Sequence, residues 1–171
     1  SVARVREALG LPAAAAIGYG KVADYREQAL GARAESTLRA RAEQASAMLL
    51  AAQPEPALAL LQKTLSDASA LPPDEPLRIR LEMNHAAAIS ALGDRKTARA
   101  ELESLYERSR KARGERDPTT MEVENSLAML LGRMGEAQLG REHMERLVPM
   151  SSEVLGADHE DTLASLHNLA V

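Results

Sequence analysis

Four histidines, His85, His143, His159 and His167, have the widest chemical range in this chain of 171 residues, because imidazole can bind a metal or move a proton near neutral pH. His159 alone sits among ligand-type residues, in Asp158-His159-Glu160-Asp161. The same stretch suits the acidic start of a helix, and that is the expectation. His85 falls at a repeat position held elsewhere by Leu127 and Leu169, so it is expected to pack with a hydrogen-bond partner. His143 is expected on an exposed face. Gly18-Tyr19-Gly20-Lys21 lacks both the spacing and the following Ser or Thr of a phosphate-binding loop. No nucleophile elbow occurs, and the serines have no organised base. No catalytic residue, cofactor or metal ligand is assigned, and the chain is expected not to be an enzyme.

The remaining chemistry is recognition, and composition limits what is recognised. The formal net charge is −4, whereas a nucleic-acid binder shows a basic face. No apolar run approaches the length of a membrane span. Without Cys there is neither a disulfide framework nor a thiolate metal site. That absence does not fix the compartment, although the cytoplasm is favoured. Aromatics make up 2% of the chain, and the apolar content is mainly Ala and Leu, which favour helix. The 17 Arg against 4 Lys point to a GC-rich bacterial source.

The elements that position any binding side chain repeat along the sequence. Gly10 and Gly31, Gly93 and Gly114, and Gly135 and Gly156 are three pairs, each 21 residues apart. Leu38, Ile79, Met121 and Leu163 follow one another at steps of 41, 42 and 42, as do Ala45, Ala86, Ala128 and Ala170. A small residue recurs at Ala15, Ala57, Ala98 and Gly140. Within each unit the apolar residues are three and four apart, as in Ala98, Leu102 and Leu105, which makes one face of a helix. Gly suits the helix ends, and Pro12 and Pro54 suit first turns. The pattern predicts antiparallel helices near 2–9, 12–30, 35–52, 55–69, 75–92, 95–113, 117–134, 137–155 and 160–171. Gly18 and Gly20 would each cost roughly 1 kcal/mol inside the second of these.

These residues resemble the tetratricopeptide repeat. Ala86, Ile89, Gly93, Ala98, Leu102 and Leu105 fit its pattern, and Ala128, Leu131, Gly135, Gly140, Met144 and Leu147 fit it one repeat later. The 42-residue step resembles the kinesin light chain-like variety, as does the stretch from Leu155 to Leu163 followed by Ser165-Leu166-His167-Asn168-Leu169-Ala170. Glu160 departs from the Pro usual there, although Pro118 holds the equivalent place one repeat earlier. The resemblance implies an all-α fold, a tetratricopeptide-type right-handed superhelix (α-solenoid) of antiparallel helix pairs. It implies a single array over 1–171: a partial repeat at 1–34, repeats at 35–74, 75–116 and 117–158, and the first helix of a truncated repeat at 159–171. Both ends look open, as in a fragment of a longer array, and self-association through those ends is expected.

The family's groove-facing positions fall on Arg39, Glu43 and Ser46, then on Arg80, Met83, Asn84, Ala87 and Ser90. They continue at Glu122, Asn125, Ser126, Met129 and Arg133, and then at His167 and Asn168. Independently of the family, these side chains lie opposite or beside the apolar stripe. Asn can both donate to and accept from a peptide backbone, Arg can fork onto a carboxylate, and Met suits an adaptable surface. The expected function is protein–protein interaction, with a peptide or protein of mixed character held in the groove. A second reading makes the chain a regulatory or sensor segment of a larger bacterial signalling protein, such as a serine/threonine kinase or transcription regulator.

Overall fold

The glycine spacing is a spacing of positive backbone φ. Gly10, Gly31, Gly93, Gly114, Gly135 and Gly156 lie between 71° and 103°, a region that side-chain-bearing residues rarely enter. Each ends a helix or precedes the next. The computed structural model describes residues 10–169; the helix predicted over 2–9 lies outside them. The described residues form two compact units, one ending at Asp94 and the other starting at Arg95.

The first unit contains α1 (Pro12–Leu30), α2 (Glu35–Leu50), α3 (Pro54–Asp67) with a 3-10 turn at Ala68–Ala70, and α4 (Pro76–Ala91). The second contains α5 (Arg95–Arg113), α6 (Pro118–Arg133), α7 (Ala137–Leu155) and α8 (Glu160–Leu169). The described residues include no strand. Pro12, Pro54, Pro76 and Pro118 all stand in first turns, where the missing N–H leaves no bond unmade. Asp117 caps α6, accepting from the Thr119 and Thr120 amides at 2.9 and 3.3 Å. Burial works against the Asp117 charge. The Arg113 guanidinium and these two amides outweigh it and hold the carboxyl below its ordinary range.

Successive helices pack on one another within each unit, and α2 also meets α4, as α6 meets α8. Leu38, Leu61, Ile79 and Leu81 fill the first unit, and Val123, Leu131 and Leu147 the second, each at most 1% exposed. α1 keeps its helix through both glycines. A Cβ at Gly20 would meet the end of the Gln44 side chain at 2.8 Å, a contact the flexible side chain could relieve by moving aside. Leu163 departs from its frame. Its equivalents Leu38, Ile79 and Met121 are at most 3% exposed, but Leu163 is 52% exposed.

Ala52 occupies the frame position of Gly10, Gly93 and Gly135, and it is the non-glycine residue with positive φ among the described residues, at 55°. Left-handed backbone costs an L-residue about 1–2 kcal/mol. Part of that is offset in a Gly variant by the greater freedom of the unfolded chain. Ala52→Gly is therefore expected to raise stability by about 0.5–1 kcal/mol in urea unfolding. A decrease would mean that the αL strain at Ala52 is negligible.

Candidate functional site

The first unit holds a cleft of about 470 Å³ whose walls come from three helices. Tyr19, Val22 and Arg26 face it from α1, Arg39 and Glu43 from α2, and Leu77 and Arg80 from α4. Arg39 is about half exposed and pairs with Glu35 one turn back at 2.7 Å. Arg80 pairs with Glu43 at 3.6 Å. Arg26 donates from Nη1 to the Ser36 carbonyl at 2.8 Å, which ties α1 to the start of α2. The cleft is thus rimmed by guanidinium groups over an apolar floor.

The second unit has an apolar slot of about 420 Å³ between α6, α7 and α8. Met129, Gly132, Gly140 and Met144 form its sides, and Arg133, Arg141, His167 and Asn168 edge it. Close approach of α6 and α7 shapes the slot. A Cβ at Gly140 would stand 2.8 Å from the Ala128 carbonyl oxygen.

The expected groove residues separate accordingly. Arg39, Glu43 and Arg80 come together in the first cleft, and Met129, Arg133, His167 and Asn168 in the second. Asn125 lines a small hollow of about 20 Å³ beside Ser151 and Ser165, and Met83 and Asn84 line none of these spaces. Two of the asparagines bridge neighbouring helices. Asn84 donates from Nδ2 to the Ala42 carbonyl at 3.4 Å, and Asn168 donates from Nδ2 to Asn125 Oδ1 at 3.2 Å. Each bridge occupies one of the donors expected to meet a peptide backbone.

Sequence reasoning missed two buried charges. Arg41 is 2% exposed and donates to Asp67 of α3 at 2.6 Å, with Glu27 of α1 paired at 2.6 Å. Burial works against the Arg41 charge, but its bonds to Glu27 and Asp67 hold the guanidinium above its ordinary range. The same bond, with the Arg41 charge, holds the Glu27 carboxyl low. In the second unit Glu124 is fully buried and meets Arg146 and His143 of α7, the latter at 3.1 Å. Tyr106 of α5 offers its ring edge-on to His143 and its hydroxyl to Arg146. Burial raises the Tyr106 phenol, and the Glu124 charge adds to the shift. His143 is therefore half-buried in a polar cluster rather than simply solvated, a correction to its expected place.

Of the other histidines, one stands at a helix start, one is half-buried within a helix and one faces solvent. His159 starts α8, its carbonyl accepting from the Leu163 amide at 2.9 Å. His85 is half-buried and His167 exposed. Among the described residues no three His, Cys, Asp or Glu are grouped to hold a metal, and no helix is long and apolar enough to cross a membrane.

Residues 119–171 match the tetratricopeptide repeat family. The chain is similar in structure to a Podosopora anserina protein described as a putative kinesin light chain with nearly identical TPR-like repeats. The TM-score is 0.71 at 24% identity, over 99% of this chain and 81% of that one. A singly substituted form of the same protein gives 0.72 at 24% identity, over 99% and 80%. BtubC (BKLC) from P. vanneervenii gives 0.69 at 14% identity, over 90% of this chain and 62% of that one. No curated protein matches the sequence. The fold is therefore one of tetratricopeptide-type antiparallel helix pairs.

Proposed function

We propose that this chain, built of tetratricopeptide-type repeats, is a protein-interaction module whose two units each offer a cleft for a peptide or protein segment, lined by α2 and α4 in the first and by α6 and α8 in the second. The observation that carries this reading is the convergence of seven of the ten expected groove residues on two clefts, three in the first and four in the second. Each cleft has an apolar floor and a polar rim, the usual anatomy of a recognition surface.

The test is affinity capture from the lysate of the source organism with three baits: the unaltered chain, Arg39→Glu/Arg80→Glu, and Arg133→Glu. Arg39 and Arg80 are about half exposed, so charge reversal should leave the fold intact by circular dichroism. A true partner should be retained by the first bait and weakened about tenfold by at least one variant, as expected for a reversed charge at an interface. Equal retention by all three baits would move binding off these clefts.

One observation favours the sensor reading, in which a small ligand is bound: the first cleft lies within the usual range of small-molecule sites, about 300–1,000 Å³. Thermal-shift screening separates the two readings, because a metabolite that stabilises the protein without any captured partner supports the sensor. Self-association is supported by the exposure of Leu163 and Leu166 on α8, at 52% and 43%. Sedimentation of Leu163→Glu/Leu166→Glu beside the unaltered chain tests it.

A further inference from the structure

We propose that the outer stripe of α8, Leu163 and Leu166, docks an amphipathic helix of a partner protein whose contact stripe carries no charge. Neither leucine lines either cleft, so this surface is separate from them. Two helix pairs of this chain show what such a stripe receives. Leu38 of α2 packs with Leu61 of α3 in one apolar cluster, and Met121 of α6 packs with Met144 and Leu147 of α7 in another. Each covering helix opens its stripe with a small residue, Ala57 or Gly140, and follows it with Leu61 or Met144 four residues on. Leu163 stands at the step of Leu38 and Met121, yet it is 52% exposed, and Leu166 beside it is 43% exposed.

The next position along the stripe sets the chemistry of the incoming helix. Three residues after Leu38 and Met121 come Arg41 and Glu124, both buried. Each meets its hydrogen-bonding partners on the covering helix, Asp67 for Arg41 and Arg146 with His143 for Glu124. Leu166 holds that place in α8. A guanidinium brought against Leu166 would lose water with no carboxylate to receive it, which disfavours a covering helix like α7. An apolar residue there would bury against both leucines instead. The position that selects a charged helix inside the chain therefore selects an uncharged one on α8, a specificity set by what it rejects as well as by what it holds. The chain's own stripes of this type are occupied, since Ala15 with Tyr19, Ala57 with Leu61, Ala98 with Leu102 and Gly140 with Met144 are all buried. Among its described residues a second copy has no free helix of this kind to offer, which points to a different protein.

Fluorescence polarisation of the 171-residue protein with two labelled peptides tests this. One peptide is the α7 sequence, residues 137–155, and the other is the same sequence with His143→Leu and Arg146→Leu. The second should bind about tenfold tighter than the first. Leu166→Glu, at an exposed position and with the fold checked by circular dichroism, should reverse that preference to about tenfold the other way, because it restores the carboxylate that Glu124 offers to α7. Equal binding of the two peptides, or tighter binding of the α7 sequence by the unaltered protein, overturns the charge rule. Binding that Leu166→Glu leaves unchanged places the peptide elsewhere and overturns the proposal. If neither peptide binds, the proposal fails, and a sedimenting dimer lost in Leu163→Glu/Leu166→Glu then identifies a second copy as the occupant. Each of these failures leaves the reading of the two clefts intact.

Discussion

Stripping Glu124 of both its cations, in His143→Ala/Arg146→Ala, should destabilise the second unit by about 3–5 kcal/mol, whereas Glu124→Met should cost less than about 1.5 kcal/mol. The asymmetry follows from burial. Glu124 has no exposure, so without His143 and Arg146 its carboxylate has neither water nor a counter-charge. Arg146 is 54% exposed, so losing Glu124 merely returns its guanidinium to solvent. Methionine fills a similar volume on the α6 stripe without a charge to bury. Urea unfolding of the two variants decides the point. A Glu124→Met variant less stable than the double variant would show that the cluster is held by its carboxylate rather than merely tolerating it.

The frame that reveals the helices also conceals this cluster. Arg41, Glu82 and Glu124 recur at its steps, three residues after Leu38, Ile79 and Met121 and four before Ala45, Ala86 and Ala128. That spacing lies on the apolar stripe. A stripe drawn only through apolar residues assigns such charges to solvent, so the signal is present in the sequence but points the wrong way. The partners are less legible. Asp67, Glu27 and Arg146 occupy different frame positions, and only tertiary packing brings them to the buried charge. Arg26 is missed for the same reason, since its place in the first cleft depends on how α1 meets α2.

Helix bounds are far more legible, because local chemistry sets them. α1, α5 and α7 run over the predicted 12–30, 95–113 and 137–155, the bounds of α2, α3, α4 and α6 shift by one or two residues where a cap or 3-10 turn intervenes, and α8 starts at the expected Glu160. Where the glycine frame lapses, other residues take its place. Ala52 adopts the positive φ itself, and Pro72 stands in the Leu71–Glu75 connection at the step of Gly31 and Gly114. Groove membership is only partly a sequence property. The frame selects the helix face, but whether a side chain meets a ligand or a neighbouring helix depends on the spacing of the helices, as Asn84 and Asn168 illustrate.

That spacing can be tested with one methyl group. Gly140→Ala is expected to destabilise the protein by about 1–3 kcal/mol, although alanine favours an isolated helix by about 1 kcal/mol over glycine. The frame treats Ala15, Ala57, Ala98 and Gly140 as interchangeable small residues, and the three alanines are fully buried. At Gly140 the added Cβ would meet the Ala128 carbonyl oxygen at 2.8 Å and the Gly132 amide nitrogen at 3.4 Å. Both are backbone atoms, so no side chain can swing away and α6 and α7 must part. Parting them also reshapes the slot that both helices line, so loss of stability should be accompanied by altered binding at Met129 and Arg133. Thermal and urea unfolding measure the first effect, and partner capture the second. If Gly140→Ala is instead more stable, helix propensity has outweighed the contact. The α6–α7 approach would then have slack, and the slot would owe its shape to Met129 and Met144 rather than to the glycine.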